Sequence, residues 1–238
     1  MPEALADGRV SRSPESAEKQ AFFDRYWVTR DYQRTDRRTM ERAQLIWSRL
    51  ARRQGTALDV GCGRGLFASF LSEQGLIVDA TDISPQAVEL TAQRGIHSFL
   101  TDLETQRPIG VYDLVFCLEV LQQVRDPLTV LTRLADTLAH DGELVVSVPN
   151  EFHLVRRLCI LLGRPDMGDI EDSHLKFFTP ERGRDLLERA GLRIRTTAHT
   201  AIMPPRPRAL AQFGQMAASL WPSGLALSTI FFATKVRP

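Results

Sequence analysis

From Gly55 onward, short apolar runs of strand length alternate with stretches of helical periodicity, and glycines mark many of the helix ends. Repeated strand–helix units of this kind predict a mostly parallel sheet that is covered by helices on both faces. In such sheets, ligands bind at the carboxyl ends of the strands, near the point where the strand order reverses. The residues directly after each strand are therefore where functional side chains are expected.

Seven strands are predicted, at residues 57–60, 76–81, 96–100, 112–118, 143–148, 192–198 and 225–236. The intervening helices are expected near residues 66–74, 85–94, 127–139, 180–190 and 208–220. Two of these helices have a clear start signal, because Ser84 and Thr179 each precede a proline, and a hydroxyl N-cap followed by proline is typical of a first helical turn. The predicted fold class is therefore α/β, with a seven-stranded sheet.

The strongest motif is the glycine-rich loop after the first strand. Asp59 precedes Gly61, Gly63 and Gly65, which gives the spacing G-x-G-x-G. Glycine permits a sharp turn and the close approach of a ligand, and the following helix start offers N–H groups to a carboxylate. A dinucleotide-binding loop would instead need its third glycine at Leu66. Asp59 would repel a pyrophosphate and attract an ammonium or sulfonium cation. The alternative is a tight turn whose glycines serve packing only.

The loop sequence LDVGCGRG, which includes Cys62, resembles the first motif of class I S-adenosylmethionine-dependent methyltransferases. The resemblance covers about residues 55–200. It implies the Rossmann-like class I methyltransferase fold, S-adenosyl-L-methionine as cofactor, and transfer of a methyl group. Because the methyl group of this cofactor is already activated, its transfer requires no metal, and the sequence has no HExxH motif or Cys/His cluster that would indicate one.

The resemblance also implies a set of cofactor-binding residues. In chain order these are Asp59, Gly61, Cys62, Gly63, Gly65, Asp82, Ile83, Asp102, Leu103, Cys117 and Leu118. Asp82 would hold the two ribose hydroxyls and Ile83 would pack on the adenine ring, whereas Asp102 and Leu103 would contact the adenine edge. Residues 117–119, after the fourth strand, would line the methionine end. Taken singly, Asp82 and Asp102 could also be helix caps.

The acceptor half of the site is less well specified. Residues 119–124, EVLQQV, resemble the E-V-L-E-H-V stretch of methyltransferases of quinone biosynthesis, but Gln122 and Gln123 replace Glu and His. Glutamine can orient a hydroxyl but cannot take its proton. We therefore predict His174 as the general base, since an unperturbed imidazole pKa near 6.5 suits proton removal at neutral pH. A structural loop histidine is the alternative.

Three further residues are candidates either for the general base or for orienting it. His153 is a second candidate, with a structural role as its alternative. Glu171 or Asp172 could orient His174, or could belong to a solvated acidic loop.

The predicted function is methyl transfer to an oxygen of a small-molecule, lipid or glycan acceptor. The alternatives are an N- or C-methyltransferase, a catalytically silent cofactor-binding adaptor, and a nucleotide-dependent oxidoreductase, which the glycine spacing disfavours.

The flanking segments divide the chain into further regions. Residues 1–18 are predicted to be a disordered tail, residues 19–54 a helical cap, and residues 55–238 the methyltransferase domain, with an acceptor-site or lid insertion at about 150–180. In the cap, Tyr26, Trp27, Arg30 and Tyr32 are expected either to close over the cofactor or to dock by hydrophobic contact. The apolar helix at 152–162 could be a lid, a homodimer face, a peripheral membrane contact or ordinary packing.

Charge and cysteine usage bear on the binding partners and the cellular compartment of the protein. The net charge is +1, which gives no reason to expect nucleic-acid binding. Three cysteines without a CxxC pair, and an N-terminus without an apolar signal region, favour the cytoplasm. Residues 209–234 carry no charge, but polar side chains and Pro222 interrupt this stretch, so a helix followed by a strand is expected there rather than a membrane span.

Overall fold

The structure is a computed structural model that describes residues 14–29, 32–164, 174–201 and 208–236. One sheet contains the strands β1 Thr56–Val60, β2 Ile77–Asp82, β3 His97–Leu100, β4 Tyr112–Leu118, β5 Leu138–Pro149, β6 Leu192–Ala201 and β7 Ala226–Lys235. The strand order is β3-β2-β1-β4-β5-β7-β6. Strand β7 is antiparallel to both of its neighbours, and the other pairs are parallel. The predicted mostly parallel, seven-stranded sheet is confirmed.

The helices are α1 Pro14–Thr29, α2 Tyr32–Arg49, α3 Leu66–Glu73, α4 Pro85–Ala92, α5 Pro127–Asp136, α6 Leu154–Leu161, α7 Pro180–Arg189, α8 Arg208–Leu220 and α9 Pro222–Leu225, with a short 3₁₀ helix at Leu121–Gln123. Both predicted N-caps are present. The hydroxyl of Ser84 accepts a hydrogen bond from the N–H of Ala87, and that of Thr179 accepts one from the N–H of Arg182. Each cap satisfies an N–H group that the helix itself leaves without a partner.

The core lies on both faces of the sheet, because successive side chains of a strand point to opposite sides. On β4, Leu114 and Phe116 pack into the cluster beneath α2 and α3, whereas Val115 and Cys117 pack into the cluster beneath α5 and α7. The strand order reverses between β1 and β4, which are neighbours in the middle of the sheet. The carboxyl ends of these two strands therefore define the expected ligand cleft.

The structure differs from the sequence-based boundaries in several places. Helix α1 begins at Pro14, inside the predicted disordered tail, and the predicted helical cap contains two helices. Strand β5 begins at Leu138 instead of residue 143, and α5 correspondingly ends at Asp136. Within the part of the chain that the structure describes, no helix combines the length and apolarity needed to cross a membrane.

Candidate functional site

The glycine loop joins β1 to α3 at the reversal of strand order. Gly61, Gly63 and Gly65 have φ values of 70°, 53° and 71°, in the left-handed region that favours glycine. The N–H groups of Gly61 and Cys62 both donate to the carbonyl oxygen of Thr81, at 2.8 and 3.1 Å, so the loop is bound to the end of β2. The predicted loop is therefore a distinct turn at the sheet's switch point.

Contacts around each glycine leave no room for a side chain. A Cβ atom at Gly63 would lie 2.5 Å from Cη2 of Trp27, and one at Gly61 would lie 2.4 Å from Cγ2 of Val120. The Sγ atom of Cys62 lies 3.4 Å from the hydroxyl of Thr91. Burial, with Asp82 and Asp59 adding to it, raises the pKa of the Cys62 thiol. Cys62 is therefore a buried, packed residue, and a ligand would meet its backbone.

Asp59 is the most unusual acidic group of the site. Its side chain is 3% exposed, and its Oδ2 atom has no hydrogen-bond partner among the described residues. Burial, together with repulsion from Asp82, raises the pKa of this carboxyl to about 7. An isolated buried carboxylate is costly unless a cation or a donor satisfies it. Asp59 therefore has the properties of a group that is completed by a cationic ligand.

Asp82 connects the glycine loop to the start of α4. Its two carboxylate oxygens accept hydrogen bonds from the N–H groups of Gly63, at 3.0 Å, and Ser84, at 2.9 Å. Burial raises the pKa of the Asp82 carboxyl, while these backbone N–H groups oppose the shift. Ile83 follows and is half-buried. Each carboxylate oxygen can accept more than one hydrogen bond, so Asp82 can hold the loop and also accept from a hydroxyl.

Helix α1 lies along the carboxyl ends of β2 and β3. The hydroxyl of Ser16 donates to Oδ2 of Asp102 at 2.7 Å, and the ammonium of Lys19 lies 2.6 Å from the carboxylate of Glu104. Asp24 accepts a hydrogen bond from the hydroxyl of Ser84. Helix α1 therefore covers the residues that were expected to hold the nucleoside part of a cofactor.

Aromatic side chains form the end of α1 that lies nearest to the glycine loop. Tyr26 packs edge-on against Trp27 with ring centroids 5.1 Å apart, and Trp27 lies on Gly63. The Nε1 atom of Trp27 is buried and has no partner among the described residues. Arg30, which was predicted to join this group, lies outside the described residues, and Tyr32 begins α2.

The remaining predicted cofactor residues are mostly part of the core. Leu103 and Cys117 are buried in the hydrophobic cluster beneath α5 and α7, and Leu118 is half-buried. Burial is the main reason why the pKa of the Cys117 thiol is raised. Any contact of Cys117 with a ligand would therefore come from its backbone. Asp102 is half-buried, with its second oxygen bound to the N–H of Glu104 at 3.0 Å.

Glu119 marks the end of β4. Its φ of 57° is the only positive value of a non-glycine residue in the described part of the chain. Such a backbone conformation is strained and often belongs to a functional site. The carboxylate of Glu119 accepts a hydrogen bond from the hydroxyl of Ser147 at 2.7 Å and lies 3.3 Å from the guanidinium of Arg42. The side-chain amide of Gln122 donates to the carbonyl oxygen of Glu119 at 2.9 Å.

His174 lies beside the same strand end. The N–H groups of the next two residues, Leu175 and Lys176, donate to the carbonyl oxygen of Gln122 at 2.7 and 3.0 Å. Nδ1 of His174 lies 2.7 Å from Oε1 of Glu151, a partner that the sequence did not indicate. Glu171 and Asp172, the residues that the sequence suggested for this role, lie outside the described residues. Glu151 lies just beyond the end of β5, after Asn150, so the rule that strand ends carry function could have found it.

His153 has a structural position. Its Nδ1 accepts a hydrogen bond from the N–H of Arg156 at 3.4 Å, and it is the N-cap of α6. Burial, with Arg156 adding to it, lowers the pKa of His153. Among the residues that the structure describes, no group of three His, Cys, Asp or Glu side chains could hold a metal ion.

Comparison with known proteins identifies the family. The family profile of the methyltransferase domain matches residues 32–197. The chain belongs to this methyltransferase family. The resemblance to class I S-adenosylmethionine-dependent methyltransferases is therefore confirmed. The structure also fits a cationic cofactor of this kind, because Oδ2 of Asp59 is buried and has no partner among the described residues, and it precedes a loop with three positive-φ glycines.

A curated relative and two solved structures are similar to this chain. The ubiquinone biosynthesis O-methyltransferase of Xanthomonas campestris pv. campestris (strain B100) is 31% identical over 118 residues, which cover 46% of this chain and 49% of that protein. The chain thus matches about half the length of this curated relative. A SAM-dependent methyltransferase from Thermotoga maritima has a TM-score of 0.68 at 18% identity, covering 91% of this chain and 99% of that one. Magnesium protoporphyrin IX methyltransferase from Synechocystis PCC 6803 has a TM-score of 0.60 at 17% identity, covering 95% and 99%.

Proposed function

We propose that this protein is an S-adenosylmethionine-dependent methyltransferase that acts on an oxygen of a small-molecule, lipid or glycan acceptor. The observation that carries the proposal is the buried carboxylate of Asp59, whose Oδ2 has no partner among the described residues and whose pKa is raised to about 7. A ligand with a positive charge would satisfy this group, whereas the phosphates of a dinucleotide would not. S-adenosylmethionine supplies a methyl group that its sulfonium already activates.

The chain's own residues would bind and orient the cofactor. Asp82, held by the N–H groups of Gly63 and Ser84, would accept from the ribose hydroxyls. Ile83, Asp102 and Leu103 would face the adenine, with α1 excluding water from this end. Residues 117–119 would line the methionine end, next to the glycine loop.

His174 would be the general base in the acceptor half. Its segment is bound to the carbonyl oxygen of Gln122, in the 3₁₀ helix that follows β4. A hydroxyl acceptor must lose a proton as its oxygen is methylated, and an imidazole suits this role at neutral pH. The O-methyltransferase relative is consistent with an oxygen acceptor.

An acceptor screen with S-adenosylmethionine labelled in its methyl group tests the proposal. Phenols, quinone precursors, glycolipids and sugar nucleotides would be offered in parallel, and an N-linked or C-linked product would contradict the oxygen assignment. Binding of the cofactor without turnover of any acceptor would favour the alternative of a catalytically silent adaptor. Calorimetry provides the first check, since binding of NAD and not of S-adenosylmethionine or S-adenosylhomocysteine would refute the whole proposal.

An exposed apolar face bears on where the enzyme acts. Several large side chains of α6 and its surroundings are exposed, namely Val155, Leu158, Leu161, Leu162, Leu175 and Trp221. Such a face is typical of an interaction surface. It is compatible with a cytoplasmic protein that contacts a membrane peripherally to reach a lipid acceptor, and with a homodimer. Sedimentation with lipid vesicles and light scattering of the purified protein distinguish the two.

A further inference from the structure

Beside the acceptor half of the site, the buried carboxylate of Glu151 contacts both His174 and Arg156. The Oε1 atom of Glu151 lies 2.7 Å from Nδ1 of His174, and Oε2 lies 3.5 Å from Nη1 of Arg156. All three side chains are 8% exposed. A carboxylate removed from water to this extent is costly unless charged or donating partners satisfy it, so the arrangement of the three groups is specific.

The backbone around His174 is held by other contacts. Leu175 and Lys176 donate to the carbonyl oxygen of Gln122, and the N–H of Glu151 donates to the carbonyl oxygen of Phe178 at 3.2 Å. These bonds attach the segment to the residues that follow β4 and β5 without the Glu151 side chain. What the Glu151 carboxylate adds to this segment is therefore its contact with the imidazole ring.

The chemistry of the pair determines which ring nitrogen is basic. An ionised carboxylate only accepts hydrogen bonds, so Nδ1 of His174 must carry the proton between them. In the neutral ring the other nitrogen, Nε2, then has the lone pair. Arg156 offsets the negative charge of the carboxylate, since a guanidinium stays protonated in proteins.

We propose that Glu151 is a positioning residue that holds His174 in its Nδ1–H tautomer, so that Nε2 is the atom that takes the proton of the acceptor hydroxyl. The proton moves from the acceptor oxygen to Nε2, the ring becomes an imidazolium beside the Glu151 carboxylate, and solvent then removes the proton. This assignment rests on the proposed function, because it takes His174 as the base. The orientation of the ring can nevertheless be tested without turnover.

The first test measures the tautomer directly. With ¹⁵N-labelled histidine, the chain gives signals from five histidines, and the His174 signals are those lost in His174→Ala. In the wild type with a neutral ring, we expect the Nδ1-protonated form. In Glu151→Gln, whose amide can either donate or accept, the Nε2-protonated form should appear. An unchanged tautomer in Glu151→Gln would refute the proposal, whatever the enzyme methylates.

The second test uses an acceptor identified by the screen. Glu151→Gln should lower kcat about tenfold or more at unchanged cofactor affinity, and should add little to the loss in a His174→Ala background, since the two residues act as a unit. Asp141→Asn is a matched control, because Asp141 lies 3.2 Å from Nδ1 of the exposed His140. If Glu151→Gln lowers kcat by the same factor in the wild type and in the His174→Ala background, Glu151 acts independently of His174.

A purely structural role must also be separated. Glu151→Gln removes the carboxylate that faces the buried guanidinium of Arg156, which can destabilise the fold. The double variant Glu151→Gln/Arg156→Gln removes both charges. If the single variant does not fold, the tautomer and kcat of the double variant show whether Glu151 orients His174. A wild-type tautomer in a folded double variant would contradict the proposal.

Discussion

The indole ring of Trp27 lies directly against Gly63 in the glycine loop, so that a Cβ atom at this glycine would be 2.5 Å from Cη2 of the ring. Gly63 also has a φ of 53°, and its N–H donates to Asp82 at 3.0 Å. One residue thus connects the covering helix α1, the loop and the ribose-binding carboxylate proposed above. Its lack of a side chain permits the close packing of Trp27 and the positive φ.

Replacing Gly63 with valine should abolish cofactor binding. The new side chain would displace Trp27 and would need a backbone conformation that L-residues rarely adopt. Calorimetry with S-adenosylhomocysteine measures the loss. Gly75→Val is the matched control, since Gly75 has a φ of 95° but no atom within 4 Å of its hypothetical Cβ. Normal binding by Gly63→Val would show that this glycine serves packing alone.

Asp82→Ala should weaken cofactor binding about tenfold or more, because each hydrogen bond to a charged group contributes roughly 1.5–3 kcal/mol. The dissociation constant for S-adenosylmethionine measures the effect. Asp79→Ala is the control on the same strand, since Asp79 accepts from the hydroxyl of Tyr112 at 2.8 Å and not from the glycine loop. That control should lower Tm and leave the affinity unchanged. An unaltered affinity in Asp82→Ala would remove this residue from the ribose site.

The raised pKa of Asp59 predicts two opposite pH dependences. An aspartate carboxyl in an unfolded chain has a pKa of about 3.9, whereas the pKa of Asp59 in the folded chain is about 7. Between these values the folded chain binds more protons than the unfolded chain, so the free energy of unfolding of the ligand-free protein should fall as pH rises, and the fall should level off above the folded-state pKa. A cationic cofactor favours the ionised form, so its affinity should instead increase as pH rises through that pKa.

Denaturant unfolding and calorimetry across about pH 5–8.5, a range that includes the pKa of about 7 of Asp59, measure both effects. Asp59→Asn should reduce both pH dependences, and the part that remains belongs to other groups with shifted pKa values, such as Asp82. The exposed Asp185 provides a control, since Asp185→Asn should change neither profile. A cofactor affinity that is independent of pH in the wild type would contradict a direct role for the Asp59 carboxylate.

The sheet and the glycine loop could be predicted because their signals are local. The strand periodicity, the caps at Ser84 and Thr179, and the G-x-G-x-G spacing each depend on a few neighbouring residues. The order of acidic residues after successive predicted strands also located Asp82 and Asp102 at the carboxyl ends of β2 and β3. The first residues of β5 were missed, because residues 139–141 are polar or small and the pairing of β5 with β4 shifts register after Tyr112.

Contacts between distant residues account for the other differences. Residues 14–18 were assigned to the polar tail, although Ser13 and Pro14 repeat the start signal of Ser84 and Pro85. In the structure, Ser16 bonds to Asp102, 86 positions along the chain. Such a tertiary contact adds to the local propensity of a segment, and it cannot be read from neighbouring residues. Likewise, the sequence offered Glu171 or Asp172 as carboxylates that could orient His174, with a solvated acidic loop as the alternative. The carboxylate that the structure places 2.7 Å from Nδ1 of His174 is that of Glu151, which is distant in the chain.

Replacing His174 with alanine tests the acceptor half of the site. If His174 is the base, the variant should keep its cofactor affinity and lose about 10²–10⁴-fold in kcat, the usual contribution of positioned proton transfer. The loss should shrink as pH rises, because solvent can then deprotonate a phenolic acceptor with a pKa of about 10. His140→Ala, at an exposed position, is the matched control. A raised KM at unchanged kcat would indicate that His174 binds the acceptor, and wild-type kinetics with a lowered Tm would leave it only a structural role.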